Sequence, residues 1–331
     1  MVINIFGVGR AMTKAATLQV VNVLQCMADQ KIWLNYEPYY WEDRYARYTN
    51  SRGIAAHEEA PLLMNADEEI GSNDRFLHSL IKEQNKYHIV NKYIRGMGRI
   101  GRINHIQKPE LSIIVVRNIY SQLASIFMGR WDLLGQGLKH RHDKSRFLSE
   151  IEKIEVPDKN YLISVAKNRL DINALYWFVM NYVSIKNSDE KTIIIFDDEI
   201  AGLESKLIST LLPNRESVHE GGFHSMCNVP GHEIHGDKFL EGWGSGREMF
   251  YNISNAIKVL FDLNLYPLWH RQGSGVCVKG AAVSKYMKEL EGGAEMYSEY
   301  GGVGKVKIVK NEVYDFMNNE LVKLLESKGH K

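Results

Sequence analysis

The chain has little cysteine: Cys26, Cys227 and Cys277 are its only three in 331 residues. Three thiols cannot build a disulfide framework, so a reducing compartment is expected. Neither sign of charge is in excess. Forty-one Lys plus Arg stand against 40 Asp plus Glu, a formal charge of +1, so no global field recruits nucleic acid or an anionic membrane, and any anion site has to be local. No apolar run approaches the roughly eighteen residues that a membrane span needs. The opening MVINIFGVGR has no basic segment ahead of a long apolar core, so no secretion signal is expected. Together these absences lead to the expectation of a cytoplasmic protein with neither membrane nor nucleic-acid partner. Internal repeats of fixed period and low-complexity tracts are also missing.

What is there is the composition of a packed protein, with 44% hydrophobic and 24% charged residues. The length suits one large domain or a core with an appendage. Short apolar runs read as strands at Val2 to Phe6, Ile32 to Tyr36, His88 to Asn91, Leu111 to Val116 and Thr192 to Phe196. Helical spacing fills Ala11 to Ala28, Asp74 to Asn85, Asn118 to Met128, Lys159 to Ile185 and Glu199 to Leu212. Apolar strands alternating with amphipathic helices predict βαβ units, hence an α/β three-layer sandwich around a central parallel sheet. Arg130 to Pro157 is polar and reads as an excursion over the substrate side or a solvated connector. After Pro213 glycine and histidine accumulate. We therefore expect an α/β core over 1–213 and a mainly helical or loop extension or lid over 214–331, closing with a helix at Asn311 to Ser327.

In an open parallel sheet, ligands sit beyond the carboxyl ends of the strands. A glycine turn there lets backbone N–H groups approach an anion, and the helix start adds about half a positive charge. Gly7, Gly9, Arg10 and Thr13 lie at such a point. The segment is neither G-x-x-x-x-G-K-[ST] nor G-x-G-x-x-G, since Thr13, Ala15 and Met12 occupy the deciding positions.

A second signal comes after a later strand: in LSIIVVRNIYSQLASIFM, Arg117 ends the apolar run and Ser125 stands eight residues on. Together the two segments resemble the sulfotransferases that use 3'-phosphoadenosine 5'-phosphosulfate (PAPS), over roughly residues 1 to 212. In that family a loop of the form [KR]-S-G-[TS]-[TS] grips the 5'-phosphosulfate, and an Arg with a Ser eight positions later grips the 3'-phosphate. Here Arg10-Ala11-Met12-Thr13-Lys14 overlays the first motif, and Arg117 with Ser125 the second. The resemblance implies a P-loop type of nucleotide-binding fold, PAPS as co-substrate, and transfer of a sulfuryl group to a hydroxyl or amine of a small-molecule or glycan acceptor. Ala11 and Met12 replace the family's Ser-Gly. If that glycine has positive φ, Met12 must adopt it at a cost. Lys14 either adds a charge to the phosphosulfate or points to water.

Sulfuryl transfer, like phosphoryl transfer, is an in-line displacement with a loose transition state, so positioning and charge stabilisation dominate. A sulfuryl group carries less charge than a phosphoryl group, so no metal is required. Arg10 is expected to stabilise the transferring group, with Thr13 and Lys14 beside it. A general base has to take the acceptor's proton. Glu37, in WLNYEPYYW, resembles the glutamate that heparan-type and some bacterial sulfotransferases carry after the second strand; otherwise it is a strand-end carboxylate paired with Arg44 or Arg47. The cytosolic branch uses a histidine in Lys-Thr-His, but here Lys92 is followed by Tyr93 and Ile94, which disfavours His88 or His105 as the base.

Other clusters carry weaker chemistry. Lys92, Arg95, Arg99 and Arg102 read first as a solvated helix face and second as the lining of an acceptor cleft. Tyr36, Tyr39, Tyr40, Trp41, Tyr45 and Tyr48 either stack on an acceptor ring or pack between layers. TIIIFDDE resembles a Walker B strand, in which Asp197 or Asp198 would hold Mg²⁺ beside ATP; without G-K-[ST] they read instead as structural, orienting the phosphate loop. His219, His224, Cys227, His232 and His235 match no zinc-finger spacing, and the glycines among them suggest a closing loop. Gly273-Ser274-Gly275 with Lys279 loosely resembles the family's loop that completes the 3'-phosphate pocket, and Cys26 reads as core. The alternatives to a sulfotransferase are a P-loop nucleotide kinase or ATPase, and a sulfotransferase-like binding protein without turnover.

Overall fold

The computed structural model describes residues 1–9, 11–25, 31–36, 38, 61–128, 144–211, 234–236, 277–279, 294–299 and 303–329. In chain order the elements are β1 (Val2–Phe6), α1 (Thr13–Gln25), β2 (Lys31–Tyr36), α2 (Gly71–Ile81), β3 (Tyr87–Tyr93), α3 (Ile100–Gln107), β4 (Leu111–Val116) and α4 (Ile119–Met128). Next come α5 (Lys144–Glu152), α6 (Lys159–Val165), α7 (Arg169–Lys186), β5 (Thr192–Phe196) and α8 (Leu203–Leu211). The remaining elements are β6 (Ile234–Gly236), β7 (Cys277–Lys279), β8 (Ala294–Glu299), β9 (Val303–Ile308) and α9 (Glu312–Ser327). Among the described residues, no helix is long and apolar enough to cross a membrane.

Five strands make an all-parallel sheet in the order β5-β4-β1-β3-β2, and the three-residue β6 adds to its β2 edge. The protein is thus α/β, with helices on both faces. The strand period of two assigns side chains to the faces. Ile3, Ile5, Ile113, Val115 and Ile195 pack with α1 and α8 on one side, whereas Phe6, Ile114, Val116 and Ile194 pack with α2 to α7 on the other. Of the crossovers, β1 to β2 and β5 to β6 move toward the β2 edge and the others move away from it. A constant crossover hand therefore puts α1 on the face opposite α2 to α7.

The second face also buries a polar row. Asn35, Asn91, Asn4 and Ser112 are register partners across β2, β3, β1 and β4. Asn35 Nδ2 donates to Asn91 Oδ1 at 2.7 Å, Asn91 Nδ2 to Asn4 Oδ1 at 2.9 Å, and Asn4 Nδ2 to Asn104 Oδ1 at 3.1 Å. Ser112 Oγ also donates to Asn104 Oδ1, and Gln107 Oε1 accepts from Asn91 Nδ2 and from the Tyr93 hydroxyl. Thus α3 closes the row from above. A one-residue slip of any of these strands would send its polar side chain to the opposite, apolar face, so the row specifies register where apolar alternation alone would leave it weak.

The basic cluster at the end of β3 and beyond it is not the expected solvated face. Lys92, Arg99 and Arg102 are buried, at 1%, 0% and 5% exposure. Arg102 holds Asp74 with Nε–Oδ1 at 3.1 Å and Nη2–Oδ2 at 2.7 Å, and donates to the Ala66 carbonyl at 2.9 Å. The Asp74 hydrogen bond pushes the Arg102 pKa above its ordinary value. Arg99 Nε donates to the Pro61 carbonyl. Two guanidinium groups thus tie 61–66 to α3, because a buried cation must be satisfied by carboxylate or carbonyl oxygens. Burial raises the Tyr176 pKa, while Arg95 and Arg99 nearby oppose the shift.

Other elements also depart from the sequence reading. The expected single helix over 159–185 is two, because Asn168 leaves helical geometry at φ −96°, ψ 174° and its side chain caps α7 by accepting from Asp171 N at 2.9 Å. Part of the polar connector, Lys144–Glu152, is helical and buries Phe147 and Ile151. The extension contains an antiparallel sheet, β7-β9-β8, where helix or loop was expected. Its closing helix α9 buries Tyr314, Met317, Leu321 and Leu325 in the same cluster as α4 and α7. Hydrogen bonds fix that contact: the Tyr314 hydroxyl donates to Asp171 Oδ1 at 2.7 Å and the Tyr120 hydroxyl to Asp315 Oδ1 at 2.6 Å. Burial is the main reason why the Tyr120 phenol is pushed up to about 12.

Candidate functional site

The strand order reverses at β1. From β1 the chain leaves toward β2, and from its neighbour β4 toward β5, so the connections diverge beyond the carboxyl ends of two adjacent strands. Such a divergence opens a crevice where ligands of parallel α/β sheets bind. The two segments singled out in the sequence, 7–13 and 117–125, come directly after β1 and β4 respectively.

The first segment turns tightly. Gly7 N donates to the Tyr93 carbonyl at 3.1 Å, and Ala11 N to the Val8 carbonyl at 2.9 Å. A Cβ on Gly7 would run into Thr13 Cγ2 and lie 3.2 Å from the Val115 carbonyl oxygen, so only glycine fits. Met12 has φ 66° and begins the helix, its carbonyl accepting from Ala15 N and Ala16 N. A left-handed conformation that favours glycine is therefore held here by a methionine. Thr13 is buried. Of the first-turn amides of α1, Ala15 N is met by the Met12 carbonyl, whereas Thr13 N and Lys14 N precede any helical carbonyl.

The cost of that conformation is measurable. Met12→Gly should keep stability within about 1 kcal/mol, relief of the left-handed backbone offsetting lost packing, whereas Met12→Val should lose about 2 kcal/mol more. Urea unfolding of the three proteins measures both, and equal stability of the glycine and valine variants would contradict a positive φ.

The second segment is anchored on both sides. Arg117 and Asp197 are 8% and 10% exposed at their side chains, and Arg117 Nε lies 3.2 Å from Asp197 Oδ2. Asp197 N donates to the Val116 carbonyl at 3.0 Å, and Trp177 Nε1 to the Arg117 carbonyl at 3.1 Å. Asn118 starts α4 by accepting from Tyr120 N at 3.0 Å. Down that helix Ser121, Gln122 and Ser125 form a buried polar stripe at 6%, 0% and 5% exposure. Gln122 Nε2 donates to the Gly9 carbonyl, which joins the two segments directly.

Two features were not legible in the sequence. Asp197, read as orienting the phosphate loop, pairs instead with Arg117, because β4 lies between β5 and β1; Asp198 is exposed. Gln122 had no signal beyond a polar residue in an apolar helix. Arg10, Glu37 and Cys26 lie outside the described residues, as do Tyr39, Tyr40, Trp41, Tyr45 and Tyr48. So do His219, His224, Cys227, His232 and 273–275. His235 is in β6 and Lys279 in β7.

No protein-family model, curated protein or solved structure matches this chain.

Proposed function

We propose that the chain is a sulfotransferase of the P-loop type, which moves a sulfuryl group from PAPS to a hydroxyl or amine of a small-molecule or glycan acceptor. One observation carries the reading: the glycine turn after β1 and the buried Arg117 after β4 stand beyond the carboxyl ends of two adjacent parallel strands, joined through Gln122. The residues present suit the co-substrate. Gly7 lets the loop turn tightly against Thr13 and the Val115 carbonyl, Met12 in left-handed geometry next to a helix start favours a concave set of N–H groups, and Arg117 is a fixed cation.

In this reading Gly7, Gly9 and Ala11 to Lys14 hold the 5'-phosphosulfate together with Arg10, and Arg117 with Ser125 holds the 3'-phosphate. Glu37 takes the acceptor's proton as its oxygen or nitrogen bonds to sulfur. The S–O bond to the 5'-phosphate breaks, and the nucleotide bisphosphate departs with the electron pair. Arg10 and the α1 start stabilise that leaving charge, a contribution of about 3 kcal/mol per directed donor. The lower charge of a sulfuryl group makes a metal unnecessary.

Pairing of Asp197 with Arg117 weighs against the Mg²⁺-ATP alternative, in which that carboxylate would face the metal. Calorimetric titration with 3'-phosphoadenosine 5'-phosphate decides. Binding is expected without Mg²⁺; no heat and no thermal shift at millimolar ligand would defeat the proposal, and Mg²⁺-dependent ATP binding lost in Asp197→Ala would replace it.

A further inference from the structure

The structure assigns Gln122 as a positioning residue that sets the loop after β1 from the helix bearing Ser125. It rests on the nucleotide reading only for what the loop is set to hold.

Three observations lead there. Gln122 is fully buried and its Nε2 donates to the Gly9 carbonyl. Among the described residues its Oε1 is buried without a hydrogen-bond partner. The rest of α4, IYSQLASIFM, is mostly apolar. A buried amide that satisfies its donor and leaves its acceptor unmatched is a poor way to pack a helix, since the orphan oxygen has lost water for nothing. What the amide supplies is one directed bond to a loop carbonyl. Fixing that carbonyl fixes the Gly9 peptide plane, three residues before the left-handed Met12. Gln122 also stands five residues after Arg117 and three before Ser125. The element that carries the second segment therefore holds the first in place, and beyond the β1–β4 pairing one side chain bridges the two.

Gln122→Met keeps length and apolar volume and removes the donor; Gln122→Ala is the second variant. Amide hydrogen exchange of the full ligand-free chain is the first readout. Faster exchange over 7–13, with α4 and the sheet unchanged, is expected; unchanged exchange in that loop overturns the assignment. Calorimetric titration is the second. Affinity for adenosine 5'-phosphosulfate should fall about fivefold, the scale of one hydrogen bond, while affinity for adenosine 3'-phosphate stays within about twofold. Equal losses for both would make Gln122 a general packing residue and overturn its positioning role, as would failure of both variants to fold. Should the unaltered protein bind neither nucleotide, the sulfotransferase reading fails and the exchange data alone decide the role of Gln122.

Discussion

Arg117→Ala is expected to weaken binding of a 3'-phosphorylated nucleotide by about 2 to 3 kcal/mol, the scale of a charge-assisted contact. Binding of adenosine 5'-phosphosulfate should be nearly unchanged. The structure adds a second effect. Asp197 is buried beside that guanidinium, so truncation leaves a carboxylate in a nearly dry site without its cation. Removing one partner of such a pair typically costs about 3 to 5 kcal/mol of stability. The double variant Arg117→Met with Asp197→Asn removes both charges and should recover most of the stability, but not the affinity for the 3'-phosphate. Urea unfolding separates the two effects from titration. If affinity for both nucleotides falls alike in the double variant, Arg117 does not read the 3'-phosphate.

Asn91→Leu is expected to be the most damaging single change in the sheet away from the crevice. Its amide links Asn35, Asn4 and Gln107, so a side chain of similar size without polar atoms leaves three buried groups each short of a partner. Asn35 keeps the Leu80 carbonyl and Gln107 keeps the Tyr93 hydroxyl, which limits the loss. We expect about 3 to 4 kcal/mol, from roughly 1 to 3 kcal/mol per stranded group with partial compensation. For a domain of this size that lowers the melting temperature by about 6 to 16 °C. A loss below about 1 kcal/mol would show that the row tolerates a gap and that register is set by apolar packing alone.

The strands were legible because they are apolar runs of the right length, and both faces of a parallel sheet are covered. Leu111 to Val116 and Thr192 to Phe196 occur as read. Asn4, Asn35 and Asn91 gave no comparable signal. Each is one polar residue in an apolar strand, and its meaning depends on strand order, which brings residues 31 and 56 positions apart, 4 to 35 and 35 to 91, into one row. The basic residues at the end of β3 and beyond it misled for a related reason. Charge spacing reports on a helix in water, but Arg102 finds Asp74 on another helix, and pairing reverses the usual preference of a cation for solvent.

At the crevice, local order determined the glycine turn, its place after β1, and the eight-residue interval from Arg117 to Ser125, because chain geometry constrains the residues just beyond a strand end and those two helical turns apart. It also raised the question of Met12, whose left-handed φ the backbone now answers. Tertiary structure alone decided that β1 and β4 are neighbours, that Asp197 belongs to Arg117, and that Gln122 reaches Gly9. Each of these is a contact between segments distant in the chain. Such contacts arise from how whole elements pack to bury their apolar faces, and no short window of residues encodes that arrangement.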